Sequence, residues 1–93
     1  MKHYIIAKFK EGVDWKSLVP EITELFEGAK AIEGISDVVI HLSCSDRANR
    51  FHLMIELQMA PEALENWDRS AIHHEWKAKY GELLEGKTIF DCE

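Results

Sequence analysis

Residues 50–59, RFHLMIELQM, place Phe51, Leu53, Ile55, Leu57 and Met59 at every second position. An apolar residue at each alternate site is the period of a β-strand buried on one face. The intervening side chains, His52, Met54, Glu56 and Gln58, make a second face that is mixed rather than plainly hydrophilic. The fold follows from asking what covers each face.

Two neighbouring stretches have the same period. KHYIIAKFK (2–10) sends His3, Ile5, Ala7 and Phe9 one way and Tyr4, Ile6, Lys8 and Lys10 the other. ISDVVIHLS (35–43) separates Val38, Ile40 and Leu42 from Val39 and His41. Between them, Trp15, Leu18, Val19, Ile22, Leu25, Phe26, Ala29 and Ile32 recur at helical spacing, after Asp14 as N-cap. Pro20 lies within that stripe, so either Ser17 caps the main helix after an irregular turn or the helix kinks. Gly34 ends the segment, and SCSDRANR (43–50) is a polar loop. Beyond the third strand, Pro61 opens a short helix, PEALENW. Ser70 then caps a longer helix expected from Ala71 to about Glu85, with Gly86 as its stop and KTIFDC (87–92) as a final strand.

The order is βαββαβ: an α+β, ferredoxin-like layout with a four-stranded antiparallel sheet and helices on one face. The other sheet face then carries Tyr4, Ile6, Val39, His41 and Met54 among Lys8, Glu56 and Gln58. So much apolar surface marks an interface. Two such sheets packed face to face would cover it, which predicts a homodimer.

Composition sets outer bounds. Ninety-three residues fit a single domain, 1–93, whose limited buried area makes self-association an obvious gain. A formal net charge of −6 argues against nucleic acid or an anionic membrane surface as partner. No apolar run approaches the roughly 18 residues that span a bilayer. Two cysteines, Cys44 and Cys92, without CxxC spacing or a leader-like start suggest reduced thiols and a cytoplasmic location.

The segment WDRSAIHHEW (67–76) holds most of the candidate chemistry. On a helix beginning near Ser70, His73, Trp76, Tyr80 and Leu84 share one stripe, whereas His74 shares its face with Lys77, Ala78 and Gly81. His73 is therefore the inward residue, and an inward neutral imidazole is a competent base near neutrality. The structural alternative is a helix-start histidine bonded to a backbone carbonyl. HHE lacks the spacing of HExxH, and adjacent side chains diverge by about 100° on a helix, so no metal site is expected. Neither cysteine has a paired base, and Glu56 and Asp91 read as surface or interface charges.

The chain resembles the stress-responsive A/B-barrel domain (Dabb) family of the dimeric α+β barrel superfamily. KHYIIAKFK is similar to that family's His-apolar-apolar-apolar-x-Lys-Phe-Lys opening. WDRSAIHHEW is similar to its Tyr-x-x-His-Pro-x-His-x-x-Phe signature, and KTIFDCE to its apolar-x-Asp-aromatic close. The resemblance implies that the two sheets pair into a dimeric α+β barrel. It places His73 on the signature's last histidine, His3 on the opening one and His52 on a third-strand histidine. Trp67 takes the tyrosine position and cannot supply a phenolic hydroxyl, although its indole N–H can still donate.

Some members of the family are polyketide cyclases whose histidines and tyrosine line a helix–sheet pocket. By that likeness His73 is a cofactor-free general base and His3 an orienting residue. The aromatic set Trp15, Phe26, Trp67, Trp76, Tyr80 and Phe90 reads as core, or, for Trp67, Trp76 and Tyr80, as the lining of a helix–sheet cavity for a small apolar or aromatic molecule. His52 sits on the strand parity opposite the apolar face, so it points toward the dimer interface unless a β-bulge returns it to the pocket. A non-catalytic stress-response dimer is the alternative, and a cofactor-independent monooxygenase a third. An RNA-recognition module needs exposed aromatics on a basic sheet, a copper carrier needs CxxC, and an acylphosphatase needs a Gly-rich anion loop where this chain has EGVDWK (11–16).

Overall fold

A computed structural model describes residues 1–93. The alternation of KHYIIAKF is realised residue by residue in strand β1 (Lys2–Phe9), where His3, Ile5, Ala7 and Phe9 are buried and Tyr4, Ile6 and Lys8 are half-buried. Helix α1 (Trp15–Glu27) ends in a 3-10 turn at Gly28–Ala31 and leads to β2 (Ile35–Leu42) and β3 (Leu53–Met59). Two helices, α2 (Ala63–Arg69) and α3 (Ala71–Tyr80), precede a second 3-10 turn, Gly81–Leu83, and β4 (Leu84–Cys92).

The sheet order is β2-β3-β1-β4 with every neighbouring pair antiparallel. Its register sets Ile5 against Ile55, Ala7 against Leu53 and His3 against Leu57, so one face collects the apolar set. The helices cover that face. Ile22 and Phe26 of α1, Ala63 and Trp67 of α2, and Trp76 and Tyr80 of α3 complete the core. Phe26 is its hub, with ring centroids 5.6 Å from Trp67 and 5.3 Å from Trp76, the latter edge-on.

The start of β3 and the end of α3 differ from the sequence expectation, whereas α1 begins where Asp14 as N-cap placed it. β3 begins at Leu53, and Phe51, expected on the apolar face, is 37% exposed and lies before the strand. α1 starts at Trp15, directly after Asp14, and runs through Pro20, its sixth residue, which lacks the N–H that would bond the Lys16 carbonyl. Asp14 holds the N-cap position without a side-chain cap bond, while Ser17 Oγ donates to the Asp14 carbonyl. α3 stops at Tyr80 rather than near Glu85, because Phe9 pairs with Leu84 and Lys10 N–H donates to the Leu83 carbonyl. Sheet pairing thus overrides the helical propensity of residues 82–85.

Gly34 sets the approach of α2. Its φ of +92° lies in the left-handed region, and a Cβ there would come within 2.6 Å of Ala63 Cβ. Its carbonyl accepts from Ala60 N–H, fixing the turn that launches α2.

The other sheet face has no helix over it. Phe90 is 57% exposed, and Tyr4, Ile6, Val39 and Met54 are half-buried. At its centre Glu56 is buried, accepting from Gln58 Nε2 at 2.8 Å and paired with His41 Nε2 at 3.1 Å. The Gln58 bond, then the His41 bond, hold the Glu56 carboxyl below its ordinary range.

Candidate functional site

A cleft of about 360 Å³ opens between the α2–α3 junction and the edge formed by β1 and β4. The junction builds one wall. Ser70 caps α3, its Oγ accepting from His73 N–H at 3.1 Å, and also donates to the Trp67 carbonyl at 2.8 Å. This bend brings His73 Nδ1 within 3.0 Å of the Asp68 carbonyl oxygen. A carbonyl only accepts, so in the neutral ring the proton sits on Nδ1 and Nε2 keeps its lone pair. The ring lies 5.1 Å from that of Trp67. Trp67 and Trp76, each 1% exposed, back the cleft from the core.

The sheet builds the other wall. β1 and β4 place Asp91 directly opposite His3, and the two side chains meet with Nδ1 of the ring 2.5 Å from Oδ1 of the carboxylate. His3 is buried while Asp91 is partly exposed. The carboxylate fixes the ring orientation and leaves Nε2 as the free nitrogen, the arrangement by which a carboxylate positions a catalytic imidazole. Lys77 and Lys87 add positive charge at the rim.

His3, His73, Trp67 and Trp76 therefore share one cleft. His74 is exposed, its Nδ1 2.7 Å from the Ser70 carbonyl. Tyr80, expected in the pocket, is instead core. It is 2% exposed, and its hydroxyl donates to Glu21 on α1 at 2.9 Å. Burial, then the Glu21 carboxylate, pushes its phenol pKa well up. Tyr80 lies one turn beyond Trp76, and that turn faces α1 rather than β4.

His52 is likewise elsewhere. The residue precedes the regular strand, so strand parity does not govern it, and its ring turns to the helix side at the opposite end of the sheet. There it stacks on Trp15 at 5.1 Å and accepts from Phe9 N–H at 3.0 Å. Asp91, read from the sequence as a surface or interface charge, is instead the partner of His3. Only the pairing of β4 with β1, which no local pattern encodes, reveals its role beside His3. No three His, Cys, Asp or Glu side chains converge as a metal site would require.

No family model matches the chain, and no curated protein matches it. Solved structures do. A dimeric ferredoxin-like protein of unknown function from Jannaschia sp. superposes with a TM-score of 0.79 at 12% identity, over 99% of this chain and 96% of that one. A dabb family protein with a ferredoxin-like fold from Mesorhizobium loti gives 0.66 at 14% identity, over 99% and 93%. A hydroxynitrile lyase from Passiflora edulis gives 0.73 at 15% identity, over 96% and 87%. Likeness at such identities carries the fold: this chain has the ferredoxin-like fold, in the form seen in a dabb family protein.

Proposed function

We propose that the protein is a homodimer, paired through its uncovered sheet faces, that binds a small apolar or aromatic molecule and moves a proton on it without a cofactor. The observation that carries this reading is the convergence of two imidazoles, each held through Nδ1, on one tryptophan-lined cleft. His73 Nε2 takes the proton from an acidic C–H or O–H of the bound molecule. His3, its Nδ1–H held by Asp91, presents Nε2 as an acceptor that takes a hydrogen bond from an O–H of the bound molecule and so orients it. A positioned imidazole of this kind supplies about 10²–10⁴-fold in rate.

The aromatic body of the ligand lies against Trp67 and Trp76, and Lys77 and Lys87 favour an oxygen-bearing, electron-rich end. Trp67 in place of a tyrosine leaves the imidazoles as the proton-transfer groups. Pairing of the sheets is supported by exposed Phe90, by the half-buried Tyr4, Ile6 and Met54, and by a fold neighbour described as dimeric. The free thiols of Cys44 and Cys92 are in keeping with a cytoplasmic setting.

A second reading, a non-catalytic binding dimer, draws on the His73–Asp68 bond, which also ties α2 to α3. One experiment separates the two. The purified protein is screened with small aromatic and polyketide-like carbonyl compounds, and turnover is compared with that of His73→Ala. Loss of turnover with the assembly intact supports the base assignment; turnover that survives contradicts it. Binding without turnover in either protein favours the second reading.

A further inference from the structure

A second cleft, of about 740 Å³, lies at the other end of the sheet from the His3–His73 cleft. The end of β1, the turn into α1 and the 43–48 segment enclose it, with His52 and Trp15 on its wall. Here the tautomer is the reverse of that at His73. The Phe9 N–H donates to His52 Nδ1, so the ring proton sits on Nε2. Burial against Phe9 and Trp15, with Lys8 nearby, pushes the His52 pKa below its ordinary value and keeps the ring neutral at neutral pH. No protein acceptor takes the Nε2 proton, and no fully buried polar side-chain atom in the chain lacks a partner, so this donor is open to the cleft.

The charge around that donor runs against the rest of the protein. Lys8 is held by Glu85 at 3.2 Å. Of the remaining charged lining, Lys10, Lys16 and Arg47 outnumber Glu11 and Asp46, three to two, in a chain of net charge −6. None of the three cations has an ion-pair partner. Lys16 instead stands over the Trp15 ring, 5.8 Å from its centroid. A neutral N–H donor locked in orientation, with unpaired cations around it, is complementary to an oxyanion.

We propose that this cleft is a second site, distinct from the proton-transfer cleft, that binds a small oxyanion, carboxylate or phosphate, between His52 Nε2–H and the Lys10, Lys16 and Arg47 side chains. The site holds its ligand by one directed hydrogen bond and by positive charge, and its occupancy therefore weakens with salt.

The test titrates the intact protein separately with benzoate and with inorganic phosphate at constant ionic strength, following the imidazole resonances of all histidines by NMR. Saturable shifts of His52 in either titration, with His3 and His73 unmoved, support the site, and the tighter anion identifies the oxyanion. His52→Phe keeps an aromatic ring to stack on Trp15 and removes the donor, and its binding is read from the Trp15 indole N–H resonance. Arg47→Gln, on an exposed loop, removes one cation. Each is expected to weaken binding about fivefold or more, at a cost characteristic of a lost charge-assisted bond. Shifts that rise linearly without saturating, or affinities unchanged in Arg47→Gln, overturn the proposal. Shifts confined to His3 and His73 also overturn it and place the anion in the proton-transfer cleft.

Discussion

Gly34→Ala offers a quantitative test of how α2, and with it the Trp67 and Asp68 wall of the cleft, is positioned. Two separate penalties arise at this residue. A backbone at φ +92° costs a non-glycine residue about 1–2 kcal/mol. The new methyl also lands 2.6 Å from Ala63 Cβ in a buried contact, and overpacking of this kind costs about 1–3 kcal/mol. The sum is about 2–5 kcal/mol, out of roughly 5–15 kcal/mol for a domain of this size. At about 4–8 °C per kcal/mol, the melting temperature falls by at least about 8 °C. Ala63→Gly relieves the contact but not the backbone strain, so the double variant recovers about 1–3 kcal/mol of coupling in a double-mutant cycle. Thermal and urea unfolding of the four proteins gives the result. A Gly34→Ala protein within about 0.5 kcal/mol of the parent, or a double variant with no coupling, refutes the close approach of Gly34 to α2.

Further expectations concern the site, the assembly and pH. Asp91→Asn removes the carboxylate that orients His3 and should lower any turnover by about tenfold or more while leaving the fold intact by circular dichroism; unchanged turnover separates Asp91 from the chemistry. Phe90→Asp puts a charge into the uncovered sheet face and should give a monomer by sedimentation at concentrations where the parent is a dimer. A parent that is itself monomeric at micromolar concentration contradicts the pairing of sheets. Glu56 has a folded-state pKa below its unfolded value, so its contribution to stability is complete above the unfolded pKa and lost as pH falls through the folded one. Urea midpoints should accordingly fall less on acidification, from about pH 6 to about pH 3, in Glu56→Gln than in the parent, and an identical acid profile excludes the linkage.

The sequence disclosed the parts of this structure that rest on local period. Alternation in β1 and β3 set the register of the core face, and helical spacing put His73 and Trp76 on one stripe with His74 turned outward. What it withheld depends on contacts between distant segments. Parity misdirected His52 because the strand is irregular before Leu53, and the ring follows Phe9 N–H instead. Tyr80 shares the stripe of Trp76, yet one further turn brings it to Glu21 on α1. Helical propensity in residues 82–85 gave way to pairing of β4 with β1. Asp91 became visible only when the strand register set it against His3.

The measurement that bears most directly on the proton-transfer cleft is the tautomer of each imidazole, read by long-range proton–nitrogen correlation NMR on the unliganded protein above the histidine pKa range. His73 is expected with its proton on Nδ1 and a free Nε2, and His3 likewise, each with Nδ1–H held by an oxygen acceptor. His52 is expected with the proton on Nε2 and serves as the internal contrast. A His73 ring protonated on Nε2, or averaging between tautomers as a free surface histidine does, would contradict the placement of a ready base in the cleft.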